Sequence, residues 1–217
     1  TYHIGRMIGD KIPGNNEIRE FFFPRDLNHF CVGCYKCIED EKECPYYEEK
    51  KVILDVIEDA DVLIVTTPTY CSHVSAPLKA FIDLTFDYWM SHRPRKCMFS
   101  KRAVIVSTSA GSSSKSAMKD VEDALFYLGV PSIMKYGIAV QAMNWDGVRT
   151  SKKEKIDKDT SRIAARLSRR EKLHVGIKTK FIFNMMRMMQ KSGWGSSPVE
   201  KEYWEQNGWL GGERPWK

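Results

Sequence analysis

The pattern of apolar and polar positions predicts strands that alternate with helices along most of the chain. Two short continuous apolar runs, at residues 61–67 and 103–106, are typical of strands that are covered on both faces. Strands that alternate with amphipathic helices indicate a parallel sheet with helices on both sides, the α/β class. The pattern predicts helices at 1–12, at 51–60, from about 75 onward through Trp89, up to Gly129, and at 152–172, and further strands at 17–23 and 132–141.

Two loops follow predicted strands and are rich in small polar residues. They lie at residues 67–74 and 107–114, and Ser, Thr and Gly dominate both apart from a tyrosine in the first. In open parallel sheets, ligands bind outside the carboxyl ends of the strands. This composition suits backbone contact with a flat polar heterocycle, although two ordinary strand-to-helix turns would have the same appearance.

Four of the six cysteines lie within fourteen residues, as a C-x2-C-x2-C-x6-C run that ends in Cys-Pro. No secretory signal is visible, so we expect free thiols and a cytoplasmic protein rather than a disulfide framework. The compact triplet favours a [4Fe–4S] cluster, whereas zinc sites more often combine two separate C-x2-C pairs. A thiol-rich loop without metal is the third alternative. The residues concerned are Cys31, Cys34, Cys37 and Cys44.

Charge divides the chain into two parts. Residues 151–217 carry 16 Lys and Arg against 8 Asp and Glu, a net of +8, whereas residues 1–150 carry a net of −2. We therefore predict a domain at 1–150 and a basic, Met- and Trp-rich helical C-terminal extension at 151–217. We expect the apolar stretch at 173–191 to pack on its own domain or on a second copy rather than on a membrane, and 202–210 to dock through aromatic anchors. Nothing in the extension matches a nucleic-acid-binding module.

The segment at residues 60–83 closely resembles the central part of the NADPH-dependent FMN reductase family. Its pattern is Ala-Asp, an apolar strand, Pro-x-Tyr, and then Leu-Lys-x-Phe-Ile-Asp. With the cysteine run upstream, the chain is similar to the iron–sulfur flavoprotein branch, which carries FMN and a [4Fe–4S] cluster. The resemblance implies a flavodoxin-like, doubly wound, five-stranded parallel sheet.

The resemblance also assigns roles to particular residues. Alignment with the family places Thr67, Pro68, Thr69, Tyr70, Ser72 and His73 against the isoalloxazine ring and ribityl chain, and Ser107, Thr108, Ser109, Ala110 and Gly111 along the other edge of the ring. It implies that Cys31, Cys34, Cys37 and Cys44 hold the cluster. Two departures from the family are Ala110, often a glycine there, and Tyr46-Tyr47, where an acidic pair is common.

The first strand of that fold and most of its FMN phosphate loop find no counterpart in this sequence. We expect roughly ten or more further residues upstream, because strand 1 is central in the order 2-1-3-4-5 and cannot be absent from a stable sheet. Thr1 would be the last residue of the phosphate loop, at the N-terminus of the first helix.

These observations predict an FMN-dependent NAD(P)H oxidoreductase that passes electrons to a small-molecule or protein acceptor, as a homodimer or higher oligomer. We nominate no catalytic side chain, since the flavin carries the chemistry. The alternative is a non-enzymatic electron carrier, or a zinc-binding interaction protein, on the same fold.

Overall fold

The computed structural model describes residues 1–169, 171–194 and 197–217. Helices alternate with three strands, as the sequence predicts. The strands are β1 (Val62–Pro68), β2 (Arg102–Ser109) and β3 (Ser132–Ala139). The helices are α1 (Tyr2–Lys11), α2 (Lys36–Glu39), α3 (Tyr47–Asp59), α4 (Ala76–Leu84), α5 (Lys115–Leu128), α6 (Thr150–Leu167), α7 (Ile177–Ser192) and α8 (Pro198–Gln206), with short 3-10 turns at Glu41–Glu43, Phe86–Tyr88 and Lys96–Ser100.

The three strands form one parallel sheet in the order β1-β2-β3. The register pairs Thr67 with Ser107 and Pro68 with Thr108, so β1 and β2 end at the same level. The parallel α/β arrangement is confirmed. Within the described residues the sheet has three strands, so the count of five stays a prediction.

The central strand β2 separates two layers of apolar packing. Ala103 and Ile105 point to the face covered by α3, α4 and α5, while Val104 and Val106 point to the face covered by α1 and α6. This alternation is the period of two that a strand imposes on its side chains. Both faces are therefore dry, which explains the continuous apolar runs in the sequence.

Helix α1 runs antiparallel to β1. A Cβ atom on Gly5 would lie 2.5 Å from Thr66 Cγ2, and one on Gly9 would lie 3.6 Å from Ile64 Cδ1, so the helix and the strand advance in opposite directions. The absence of a side chain at Gly5 allows this close approach. As a result, the N-terminus of α1 lies at the carboxyl edge of the sheet.

Two predicted elements differ in the structure. Residues 17–23 are not a strand, because no neighbouring strand offers them a ladder; Phe23 instead stacks on Phe81 with ring centroids 4.8 Å apart. The helix that begins after Ser75 ends at Leu84 instead of continuing through Trp89. The Thr85 hydroxyl donates to the Ile82 carbonyl at 2.7 Å and helps to close the last turn.

The C-terminal helices pack on the body of the chain, as predicted for the apolar stretch and for the aromatic segment after it. Phe183 of α7, Trp204 of α8 and Trp209 are almost completely buried and share a cluster with Met90 and Phe99. Helix α6 packs elsewhere, against α1 on the other face of the sheet. A boundary near residue 150 stays a prediction. In the described part of the chain, every helix is too short or too polar to cross a bilayer.

Candidate functional site

Several elements end at the carboxyl edge of the sheet and together form the candidate ligand site. The loop after β1 and the loop after β2 leave the sheet side by side, since the two strands end in register. The N-terminus of α1, with Thr1 as its N-cap residue, lies at the same edge. The structure therefore brings the predicted strand-end residues and Thr1 to one edge.

The loop after β1 makes a tight two-residue turn. Tyr70 and His73 exchange backbone hydrogen bonds of 3.1 and 3.0 Å, and Cys71 and Ser72 between them have φ values of 49° and 70°. Positive φ at both central positions is typical of a type I′ hairpin turn and is uncommon for residues other than glycine, asparagine and aspartate. The turn leaves the Tyr70 ring 63% exposed at the rim of the site.

Buried hydroxyl groups fix the base of this loop. Thr67 Oγ1 accepts from the Ser75 amide at 3.1 Å and lies 3.2 Å from the Ser75 hydroxyl. Thr69 donates its amide to the Thr108 carbonyl at 2.8 Å, and its hydroxyl lies 3.0 Å from that of Ser107. The first loop is thus bonded both to itself and to the neighbouring strand.

The second loop also divides into a buried base and an exposed tip. Ser107, Thr108 and Ser109 are buried, and the Ser109 hydroxyl donates to the Ser112 carbonyl three residues later. Ala110 and Gly111 are exposed. A ligand can therefore reach the backbone of the tip, whereas the three buried hydroxyl residues shape the loop.

A carboxylate on α5 connects the two loops, and the sequence gave no signal for it. Asp120 Oδ2 lies 3.0 Å from His73 Nδ1 and accepts from the Val74 amide at 3.1 Å. Forty-seven residues separate His73 from Asp120, so only the tertiary fold brings them together. An open cavity of about 650 Å³ lies beside this pair and is lined by His73, Lys115, Ser116, Met118, Lys119, Asp120 and Lys135.

The four clustered cysteines line a second cavity, of about 310 Å³, with Tyr35, Tyr46 and Phe86 among its aromatic walls. Gly33 and Tyr35 both have positive φ, at 65° and 57°, so the chain turns sharply between successive cysteines. The four thiols are free, two exposed and two half-buried. Among the described residues, no three Cys, His, Asp or Glu side chains are grouped closely enough to hold a metal ion.

A buried ion pair lies beneath the cysteine loop. Lys50 Nζ is 2.9 Å from Asp87 Oδ1, and both side chains are at most 2% exposed. Burial raises the pKa of the Cys37 thiol to about 11, the Asp87 carboxylate adds to this shift, and the Lys50 ammonium opposes it. At neutral pH the free Cys37 thiol is therefore protonated, and binding a metal there would release a proton.

Arginine side chains hold the end of the cysteine loop from outside. The buried Arg93 guanidinium donates to the Ile38 carbonyl at 2.7 Å and also to the Cys37 carbonyl. Arg95 pairs with Glu41, and Ser197, at the start of α8, donates its hydroxyl to the Ile38 carbonyl at 3.4 Å. No local sequence pattern indicates these contacts.

The segment that carries Arg93 is in turn held by the C-terminal helices. His92 Nδ1 lies 2.7 Å from Glu200 Oε1, and Glu200 is only 1% exposed. Trp204 donates its indole N–H to the His92 carbonyl at 2.6 Å, and Gln190 donates to the Ser91 carbonyl at 3.1 Å. The extension therefore reaches the cysteine loop through residues 91–95.

The fold and the edge site define a flavodoxin-like α/β protein with its ligand loops at the carboxyl ends of parallel strands. The family model for NADPH-dependent FMN reductase matches residues 1–144. The chain belongs to this family of flavin oxidoreductases.

Curated relatives match a shorter segment. An iron–sulfur flavoprotein of Archaeoglobus fulgidus is 32% identical over 66 residues, which are 30% of this chain and 29% of that protein. An iron–sulfur flavoprotein of Methanocaldococcus jannaschii is 39% identical over 59 residues, 27% of this chain and 30% of that protein. The chain thus matches less than a third of the length of either relative.

Solved structures support the fold. An FMN-dependent NADH-azoreductase of Bacillus anthracis, in complex with FMN, is 14% identical with a TM-score of 0.58, over 77% of this chain and 89% of that one. A second azoreductase structure from Bacillus anthracis has 12% identity and a TM-score of 0.53, over 77% of this chain and 88% of that one. At these identities the likeness concerns the fold alone.

Proposed function

We propose that this protein is an FMN-dependent oxidoreductase that takes electrons from NAD(P)H and passes them to a small-molecule or protein acceptor. The observation that carries the proposal is the pair of hydrogen-bonded loops at residues 67–75 and 107–114, at the carboxyl edge of the sheet in a chain of the FMN reductase family. An exposed backbone on a rigid base suits contact with a flat polar ring.

The residues present fit FMN in three respects. Ala110 and Gly111 expose their backbone, and a Cβ atom on Gly111 would meet nothing within 4 Å, so the ring can approach the loop closely. The Tyr70 ring is available for stacking at the rim. The N-terminus of α1 supplies unpaired amides and a positive dipole end, which favour a phosphate group.

In the reaction, bound FMN supplies the hydride and single-electron chemistry, and the protein supplies binding and orientation. Thr67, Thr69 and Ser107 hold the loops rigid through their hydroxyls. His73, oriented by Asp120, stands at the rim, where it can hold a proton near the ligand. The cavity beside them is open and gives room for a second substrate.

Purification followed by FMN titration tests the proposal. We expect stoichiometric FMN with flavin absorbance bands, and oxidation of NADH or NADPH that depends on the bound flavin. A protein that neither retains nor rebinds FMN would refute the proposal. FMN binding without NAD(P)H oxidation would favour a non-enzymatic electron carrier.

The cysteine loop favours a second role, which we propose as a [4Fe–4S] site. Four thiolates are the ligands that such a cluster takes, and Cys31, Cys34, Cys37 and Cys44 line one cavity, so the donor set fits the group. The cluster would accept and donate single electrons beside the flavin. Anaerobic purification with iron, sulfide and zinc analysis tests this: four iron and four sulfide per chain supports it, zinc alone or no metal contradicts it.

A further inference from the structure

Helix α7 has a second apolar face that the body of the chain does not cover. Ile177, Phe181, Met185 and Met188 are 87%, 66%, 40% and 68% exposed, although Phe183 on the opposite side is fully buried. With 3.6 residues per turn, the four exposed side chains fall within an arc of about 80° and extend about 16 Å along the axis. We call these four residues the outer stripe.

A contiguous stripe is different from scattered exposed residues. Single exposed apolar side chains are normal on protein surfaces, whereas contiguous apolar patches mark interaction sites. Trp194, just beyond the end of α7, is 74% exposed and extends the apolar surface. The outer stripe therefore requires a partner with an apolar surface.

The charges beside the outer stripe are all positive. On the helical wheel, Lys180 and Lys191 lie along one border of the stripe and Lys178 along the other, and residues 177–192 contain no Asp or Glu. In the part of the chain that the structure describes, no ion pair involves these three lysines. An apolar stripe bordered by lysines, with a tryptophan at its end, is the pattern of a helix that lies in a membrane interface.

We propose that α7 docks this protein on an anionic lipid surface, with the outer stripe buried among the acyl chains and the three lysines at the headgroups. Long lysine side chains can place their methylene groups on apolar material while the ammonium stays in water. The helix is held to the body of the chain by its other face, through Phe183, so the folded domain would ride on the membrane.

Charge decides between lipid and a second copy of the chain. Pairing two outer stripes would bring the lysines of both copies to one interface with no acid on either helix, which like-charge repulsion opposes. An anionic surface instead attracts all three. The expected membrane contact contradicts the interpretation from sequence, which assigned all of the apolar surface at 173–191 to packing.

Vesicle flotation of the full chain tests the proposal. We expect binding to phosphatidylglycerol vesicles on the order of a hundredfold tighter than to phosphatidylcholine vesicles at low salt, since three lysines act near the surface. Binding should weaken as salt rises. The double variant Phe181→Glu/Met188→Glu should lose roughly tenfold or more, while Met143→Glu, which changes a fully exposed methionine in the loop after β3, should bind as the wild type does.

Three results would overturn the proposal. The first is failure of the wild-type protein to bind phosphatidylglycerol vesicles. The second is equal binding by the double variant, which would assign lipid contact to other basic surfaces. The third is a wild-type dimer that the double variant converts to monomer, because the outer stripe would then be covered by a second copy. Equal thermal melting of the variants excludes a folding defect.

Discussion

The strand-end loops and the cysteine loop are both candidate cofactor sites, yet their positions are fixed in different ways. Residues 67–75 and 107–114 are held by hydrogen bonds to themselves and to the adjacent strand, as Thr67 with Ser75 and Thr69 with Ser107 show. The cysteine loop has no strand beside it. Its end is held by Arg93 and Ser197, from segments far away in sequence. The first site thus depends on the sheet and the second on the C-terminal extension.

Removing the main aromatic anchor of the extension should have the largest effect. Trp204 is fully buried, so Trp204→Ala should lower the free energy of unfolding by roughly 3–5 kcal/mol, measured by urea denaturation. Hydrogen exchange at residues 31–44 should accelerate more than at 67–75. Trp194→Ala, at an exposed position, is the control and should change little. Equal acceleration in both loops would contradict the comparison.

A smaller effect should follow from removing the arginine that contacts the cysteine loop directly. Arg93→Ala leaves the Cys37 and Ile38 carbonyls without their donor, and hydrogen bonds to a charged group contribute roughly 1.5–3 kcal/mol. We expect a loss of that size and faster alkylation of Cys37.

The control for this change is Arg19→Ala, which removes an exposed arginine paired with Glu17. It should leave both the stability and Cys37 alkylation close to the wild type. If Cys37 alkylation stays slow in the Arg93 variant, Arg93 contributes stability without positioning the loop.

The sheet could be predicted from sequence because its signals are local. Continuous apolar runs identified β1 and β2, and Gly129, with φ of +102°, ended α5 as expected. Residues 17–23 looked like a strand because three phenylalanines are apolar enough for one. Strand formation also requires a neighbour, which a single segment of sequence does not reveal.

The contacts that complete the sites could not be predicted, because they join distant residues. Asp120 reaches His73 across 47 residues, and Glu200 reaches His92 across 108. Each of these carboxylates lies on a helix whose sequence reads as an ordinary amphipathic pattern. The outer stripe was visible as apolar content, but the division of α7 into a buried and an exposed face depends on where the body of the chain lies.

The buried hydroxyl at the base of the first loop provides a milder test of the sheet-held site. Thr67→Val keeps the shape of the side chain but leaves the Ser75 amide without its acceptor, so we expect a loss of about 1–2 kcal/mol. FMN affinity should fall, as measured by fluorescence titration, with no change in exchange at residues 31–44. Thr66→Val, one residue earlier on β1, is the matched control and should retain FMN. Loss of protection at 31–44 would show that the two loops are coupled.

The smallest effect should come from the carboxylate that connects the two loops. Asp120→Asn can still accept from the Val74 amide but loses its charge beside His73. The pair is partly exposed, with 30% of the Asp120 side chain accessible, so solvent screens it and the stability should change by less than about 1 kcal/mol. FMN affinity and NAD(P)H oxidation should therefore respond more than stability does, because His73 loses its orientation while the sheet is unaffected. Asp123→Asn, at an acid on the same helix that pairs with Lys119, should change neither. Equal effects of the two variants would mean that Asp120 acts only through the general charge of α5. A large loss of stability from Asp120→Asn alone would mean that the first loop, like the cysteine loop, depends on a distant side chain for its position.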